Sequence, residues 1–344
     1  MRVVVTGGAG FLAYHIANQL ADKAQIHLLD IDEFRAEDYP RGVTWGKCDV
    51  RDRAALEREL QGADVIVHAA AGLPLWKSKD IIEINVEGTR NVLATAQQLG
   101  VSRVIHISST AVYGVPDHHP LYEHDQLIGV GPYGISKIEA EKICEGYRKQ
   151  GMVVCVLRPK TFVGTGRLGV FQILFDWVYS GKRIPLIGNG HNRYQLLEVS
   201  DLVNAIWLAA TAPAAIANDT YNVGGSDNET IAEYVGALCR FAGNGARVMA
   251  TPAAPIKFAL SIFEAMHLSP LYKWVYGTAD KDSFVSTEKI QKQLGWSYQF
   301  NNADALINSY KWYLIHHREV ENQSGVTHRV PWNQGILKVF KRWL

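Results

Sequence analysis

Tyr133 and Lys137 lie four residues apart in PYGISK (132–137). On a helix that spacing puts both side chains on one face, one turn apart. The pair suits proton transfer. A tyrosine hydroxyl ionises near pH ~10 and is a poor base at neutrality, but a lysine ammonium one turn away favours the phenolate. Such a phenolate takes the proton of a secondary alcohol while hydride leaves the same carbon, and in reverse it protonates a developing alkoxide. Ser109, in ISSTAVYG (107–114) at the end of the preceding strand, is placed to hydrogen-bond the same oxygen, with Thr110 beside it. A Tyr-x-x-x-Lys pair alone is also an ordinary exposed helix pair, so the reading depends on what surrounds it.

Hydride transfer needs a carrier, and the N-terminus offers a place for one. TGGAGFL (6–12) follows a strand directly and opens a helix. Gly7 and Gly10 let backbone approach a pyrophosphate, and Phe11 and Leu12 begin a helix whose N-terminal N–H groups and dipole favour anions. Asp30 ends the next strand about 20 residues on, where a carboxylate accepts bonds from adenosine ribose hydroxyls and repels a 2′-phosphate. That combination favours NAD over NADP. Asp49 and Val50, in KCDVRD, suit an adenine amino group and the face of its ring, although an Asp in such a loop also serves as a helix cap. In VIVHAAAG (65–72), Ala69, Ala70 and Ala71 are small enough for a cofactor to lie against backbone, or for a helix and strand to pack tightly.

The elements that must position these residues alternate. Strands are expected at 2–6, 26–30, 64–68, 103–107 and 152–157, with helices after the glycine turn and near 52–60, 80–98 and 133–149. Strand–helix alternation implies a parallel sheet covered on both faces, which binds ligands at the carboxyl ends of its strands. After about Pro159 the rhythm loosens. Short strands are expected at 184–187, 194–199 and 219–223, and helices at 168–180, 200–211, 229–241, 255–266, 286–294 and 302–318. The fold class is therefore α/β, a Rossmann-like doubly wound sheet with a smaller α+β C-terminal lobe. The expected division is 1–160 for the dinucleotide domain, with its sheet completed by later segments, 161–315 for a substrate lobe, and 316–344 for an extension.

Composition narrows the classes. The chain has 344 residues, with 35 Lys+Arg against 34 Asp+Glu and 47% hydrophobic residues. That is ordinary for a globular protein and offers no basic excess for nucleic acid. No apolar run is long enough to span a bilayer and no signal-peptide pattern opens the chain. Cys48, Cys144, Cys155 and Cys239 are widely spaced without C-x-x-C, which argues against a metal site or a disulfide framework and fits a cytoplasmic setting.

Taken together, these motifs resemble those of extended short-chain dehydrogenase/reductases, the group of NDP-sugar epimerases and dehydratases and of 3β-hydroxysteroid dehydrogenase-like enzymes. The resemblance rests on TGGAGFL, Asp30, CDV (48–50), HAAAG (68–72), NVEGT (85–89), ISSTAVYG and YGISK. Later pieces extend it: LRP (157–159), EVSDLVNAI (198–206), YNVGG (221–225) and LGW (294–296). It covers residues 1 to about 315. It implies tightly held NAD, and Ser109, Tyr133 and Lys137 as the catalytic set, with Lys137 also bonding the nicotinamide ribose and Pro159 facing the nicotinamide. Asn85 is implied to be structural, near the cofactor. A homodimer through the helices near 80–98 and 133–149 is also implied.

Departures from the family pattern bear on the substrate. Ala13 replaces the third glycine, a tolerated change. Thr161 stands where nucleotide-sugar enzymes commonly carry Asn, and KWVYGTADKDSF lacks their usual Arg, with Trp274 and Tyr276 nearby. Arg193 is the remaining candidate for phosphate, or else a solvated loop residue. The apolar stretch 255–276 resembles the steroid-dehydrogenase-like branch equally well, or is a helical lid on its own core. The expected substrate is a nucleotide sugar, with a sterol-like alcohol as the alternative. Residues 322–344 carry Arg329, Lys338, Lys341 and Arg342 and no acid, and 336–344 (ILKVFKRWL) has the spacing of a short amphipathic helix. That segment suits docking on the body, or peripheral contact with an anionic membrane. The near-neutral total hides a +4 tail on a −3 body.

Overall fold

A computed structural model describes residues 1–74, 76–266, 273–320 and 341. The first 160 residues run β1 (Arg2–Thr6), α1 (Phe11–Leu20), β2 (Gln25–Asp30), β3 (Thr44–Lys47), α2 (Arg53–Glu59), β4 (Val65–His68), α3 (Ser78–Ile82), α4 (Gly88–Gln98), β5 (Arg103–Ile107), α5 (Gly131–Lys149) and β6 (Val154–Pro159). The remainder runs β7 (Thr161–Val163), α6 (Val170–Tyr179), β8 (Arg183–Ile187), β9 (Leu196–Glu198), α7 (Val199–Thr211), α8 (Ala214–Ala217) and β10 (Thr220–Val223). It continues with α9 (Ile231–Ala242), β11 (Arg247–Thr251), α10 (Ala253–Ala265), α11 (Lys273–Thr278), α12 (Glu288–Leu294) and α13 (Asn302–Val320). The stretch read as one helix over 80–98 is α3, a π-turn at Glu83–Glu87, and α4.

Two compact units form. The first comprises Met1–Lys160, Val199–Val223 and Ser286–Ser297; the second comprises Thr161–Glu198, Gly224–Val285 and the chain from Tyr298 on. The later segments of the first unit complete and cover its sheet: β10 pairs with β6, α7 packs on α1, β5 and β6, and α12 packs on β10 and α7.

In the first unit seven strands form one parallel sheet in the order β10-β6-β5-β4-β1-β2-β3. Alternate residues of its inner strands point to opposite faces, and both sets are apolar. Val4, Ile66, Val104, Val154 and Val156 pack with Leu56, Leu93 and Cys144, while Val5, Val67 and Ile105 on the other face are equally buried. Fully covered parallel strands require this continuous apolar pattern. The strand order reverses at β1, whose neighbours are β2 and β4. A crevice therefore opens beyond the carboxyl ends of β1 and β4, the usual ligand site of such sheets.

The second unit holds two two-stranded parallel sheets, β8 with β11 and β7 with β9. The rings of Tyr310 and Tyr313 lie 5.8 Å from that of Phe175 in its core. β7 and β11 have no counterpart in the sequence expectation, since three residues and a half-exposed RVMAT carry no clear alternation. Within the apolar stretch 255–276, residues 267–272 lie outside the described residues. α10 does not bury its whole apolar surface: Phe258 and Ile262 are exposed, as is Met266 just beyond its end. The expected amphipathic segment 336–344 also lies outside the described residues, apart from Lys341, whose ammonium donates to Asp176 of α6 at 2.6 Å. Among the described residues no helix is long and apolar enough to cross a membrane.

Candidate active site

The turn after β1 is built on three glycines. Gly7 has φ +73°, and a Cβ there would sit 2.9 Å from Ala70 Cα and N, so backbone of the β1 turn lies against backbone beyond β4. A Cβ on Gly10 would meet the Gly7 carbonyl at 2.9 Å. Gly8, which the sequence reading passed over, is equally constrained: its Cβ would lie 2.8 Å from Leu28 Cβ, and its N–H donates to Leu29 O at 2.8 Å. The Gly-Gly doublet was the available signal. Gly10 is the N-cap of α1 with no side-chain cap, so the first turn presents backbone N–H groups toward the crevice end. Phe11 and Leu12 bury their side chains and contribute only backbone there. Ala13 is fully buried, and its methyl fits where the family pattern has glycine.

Asp30 accepts from Ala9 N–H at 2.9 Å through Oδ2, and from Ile31 and Asp32 N–H at 2.7 and 3.1 Å through Oδ1. Burial raises its pKa, against the lowering effect of those N–H groups. Asp49 is held in a forked pair by Arg51, whose Nη2 lies 2.6 Å from Oδ2, and this bond lowers its pKa. Val50 is buried against Gly88, where a Cβ would come within 2.6 Å of it. Ala69, Ala70 and Ala71 are partly exposed beyond β4.

Behind them runs a buried chain of hydrogen bonds. Ala70 N–H donates to Thr6 Oγ1, Thr6 Oγ1 is 2.8 Å from His68 Nδ1, and His68 Nε2 is 3.0 Å from Thr89 Oγ1. Thr89 spends its proton on Asn85 O at 2.6 Å. His68 therefore donates through Nε2 and accepts through Nδ1, which fixes a neutral tautomer. Burial, with the Lys137 charge nearby, pushes its pKa down to about 3.

Ser109 lies two residues past β5 and caps a short 3-10 turn, Thr110–Tyr113. Its Oγ accepts from Ala111 N–H at 3.1 Å, which leaves the hydroxyl proton for another acceptor. Thr110 is partly exposed beside it. Tyr133 sits in the first turn of α5, and the Lys137 ammonium lies 5.9 Å from its ring centre. Lys137 Nζ donates to Ile107 O at 2.9 Å. Burial pushes its pKa down to about 8, with Glu141 pulling the other way. Gly134, unremarked in the sequence, brings the two segments together: a Cβ there would lie 2.9 Å from Ala111 O. Ser109, Tyr133 and Lys137 thus occupy two abutting segments at the carboxyl end of the sheet.

Pro159 ends β6, buried beside Val223 of β10. The next residue, Lys160, is also buried, and desolvation pushes its pKa down to about 7. The sequence reading missed it, although a lysine at a strand's carboxyl end was the clue. In the second unit, Thr161 Oγ1 is 2.9 Å from Tyr194 OH. The Arg193 guanidinium lies 4.0 Å from the Phe284 ring centre, with Asp282 at 3.8 Å. Among the described residues no group of His, Cys, Asp or Glu could hold a metal ion.

The model of the NAD-dependent epimerase/dehydratase family matches residues 3–224. The chain is 32% identical over 340 residues to protein y4nG of Sinorhizobium fredii, covering 97% of this chain and 84% of the relative. It is 26% identical over 349 residues to the dTDP-glucose 4,6-dehydratase of Streptomyces niveus, covering 91% and 93% of the two chains. The crystal structure of the UDP-glucose 4-epimerase of Thermotoga maritima superposes with a TM-score of 0.77 at 21% identity, over 92% of this chain and all of that one, and so shares the fold.

Proposed function

From the premise that this chain belongs to the NAD-dependent epimerase/dehydratase family, and is an NAD-dependent enzyme of it, we propose that it acts on a secondary alcohol of a nucleoside-diphosphate sugar, as an epimerase or dehydratase. The observation that carries this reading is the Tyr133–Lys137 pair on α5, its ammonium anchored on Ile107 O and its helix abutting the Ser109 turn. Ser109 donates its free proton to the substrate oxygen. Tyr133, as phenolate beside the Lys137 charge, takes the hydroxyl proton and returns it to the carbonyl oxygen after the sugar has turned or rearranged. Bound NAD supplies the hydride acceptor and donor.

The cradle fits that cofactor. At Gly7, Gly8 and Gly10 a Cβ would collide with Ala70 backbone, Leu28 and the Gly7 carbonyl, so only glycine lets the turn fold this close to the sheet end, and α1 begins there without a side-chain cap. Backbone of Gly7, Gly10, Phe11 and Leu12 would hold the pyrophosphate, Asp30 the adenosine ribose, and Asp49 and Val50 the adenine. Ala69, Ala70 and Ala71 would lie along the cofactor, Lys137 on the nicotinamide ribose and Pro159 against the nicotinamide. Thr110, Thr161 and Arg193 are the proposed substrate contacts. A homodimer through the stretch 80–98, with Val86 in its π-turn, and through α5, with Ile143 and Tyr147, and a cytoplasmic location complete the proposal.

One observation favours a second reading, oxidation of a lipid-like alcohol: the hydroxyl of Thr161 is engaged by Tyr194 in the place where nucleotide-sugar enzymes commonly carry Asn. Mass spectrometry of co-purifying ligands, followed by assays with UDP-hexoses and with hydroxysteroids, separates the two. Interconversion of UDP-hexoses without net NADH supports the first. Steady NADH accumulation on a sterol, with no UDP-sugar bound, replaces it with the second.

A further inference from the structure

Tyr133, Lys137 and Glu141 follow one another at intervals of four along α5, so one helix face carries all three. Glu141 is buried and bonded to β6. Arg158 Nε lies 3.0 and 3.2 Å from its two oxygens and Nη2 lies 2.6 Å from Oε2. Ser108 Oγ, between Ile107 and Ser109, donates to the same carboxylate. The other arm of the guanidinium reaches a different segment: Nη1 donates to Tyr113 OH at 2.8 Å and to Glu123 O at 3.0 Å. Tyr113 closes the turn that Ser109 caps, and its hydroxyl donates to Asn222 Oδ1 of β10 at 2.7 Å.

A buried ion pair is a poor device for stability alone, because the cost of desolvating both charges roughly cancels their attraction and apolar residues of equal volume do as well. What a guanidinium adds is direction: a rigid planar fork with several donors, able to fix separate segments at once. Here the segments are the helix bearing Tyr133 and Lys137 and the turn bearing Ser109. We propose that Arg158 and Glu141 are positioning residues, a buried clamp that holds the Ser109 turn in register with the Tyr133–Lys137 face so that both address one substrate oxygen. The proposal rests on the Ser109–Tyr133–Lys137 reading above and extends it to two residues that touch neither substrate nor cofactor.

The test uses the NAD-loaded full chain and a readout that a purely structural role would not move: the ionisation of Tyr133, taken as the ultraviolet difference between each protein and its Tyr133→Phe counterpart. The double variant Glu141→Leu/Arg158→Met removes the clamp without changing net charge. It should unfold within about 5 °C of the parent, while the Tyr133 phenolate needs at least a tenfold lower proton concentration to form and kcat falls at least tenfold with KM little changed. Tyr113→Phe keeps the ring and the Glu141 pair and removes only the hydroxyl that ties the end of the Ser109 turn to Arg158 and Asn222. It should lower kcat several-fold with the Tyr133 titration unmoved, and it serves if the double variant does not fold. Wild-type titration and turnover in the double variant, or wild-type turnover in Tyr113→Phe, overturns the clamp. Failure of the underlying reading looks different: Tyr133→Phe itself would retain turnover, whatever the clamp variants do.

Discussion

Asn85 Nδ2 donates to Ser136 Oγ at 2.9 Å, and this bond ties the segment beyond β4 to the helix that carries Tyr133. The other end of the Asn85 amide accepts from Gly72 N–H at 2.8 Å. Ser136 passes its proton to Tyr133 O at 2.8 Å. Asn85 sits in the π-turn Glu83–Glu87, where it is buried beside Ile84. Asn85→Ala strands the buried Gly72 N–H donor on one side and leaves the Ser136 Oγ acceptor unmet on the other, and should cost about 1–3 kcal/mol of stability. Denaturant unfolding and an NAD titration on the same preparation should show both stability and cofactor affinity falling. A neutral variant would mean that Ser136 and Gly72 find other partners.

The glycine turn should tolerate no side chain at two positions. Gly7→Ala forces a methyl into Ala70 backbone at a positive φ, and Gly8→Ala forces one onto Leu28 and Leu29. Each should cost about 1–3 kcal/mol, and Gly7→Ala should also weaken NAD at least tenfold by displacing the turn. Thermal midpoints with and without NAD separate the two effects.

Tyr133→Phe removes only a hydroxyl. Turnover should fall by about 10²–10⁴, while NAD still binds. Calorimetry alongside a product assay checks this, and retained turnover would remove Tyr133 from the chemistry.

Asp30 serves the turn through Ala9 N–H and is proposed to serve the ribose through its charge. Asp30→Asn keeps an acceptor and removes the repulsion toward a 2′-phosphate. The ratio of NAD to NADP affinity should fall at least tenfold; an unchanged ratio would place the selectivity elsewhere.

Two buried lysines give stability a particular pH dependence. Desolvation lowers Lys137 to about 8 and Lys160 to about 7, below the ordinary ~10.4. Above those values the unfolded chain holds more protons than the folded one, so stability rises with pH. From about pH 9 the buried thiols of Cys48, Cys144 and Cys155, pushed up to about 12, act in the opposite sense. Unfolding free energy should therefore climb from about pH 7 to about 9, and Lys137→Met and Lys160→Met should each flatten the climb. At the acid end His68, neutral when folded down to about pH 3, makes stability fall as pH drops below ~6.5.

Much of the site was written locally. A glycine after a strand marks a turn that needs positive φ or close approach, and Tyr133 and Lys137 share a face because a helix repeats every 3.6 residues. The parallel sheet followed from strand–helix alternation. These features depend on residues a few positions apart, so sequence alone determined the fold class, the glycine turn and the shared helix face of Tyr133 and Lys137. Tertiary structure decided the rest. The sequence led to a sheet completed by later segments, but not to which strand completes it, β10 on the edge of β6, nor to β7 and β11, because short strands gain their stability from partners distant in the chain. The Asn85–Ser136 bond and the Arg158–Glu141–Tyr113 clamp join residues 51, 17 and 45 positions apart. Each of these side chains is an ordinary polar residue in its own segment. Only when strands and helices stack do they meet away from water, where an unmet donor is costly and a met one fixes geometry.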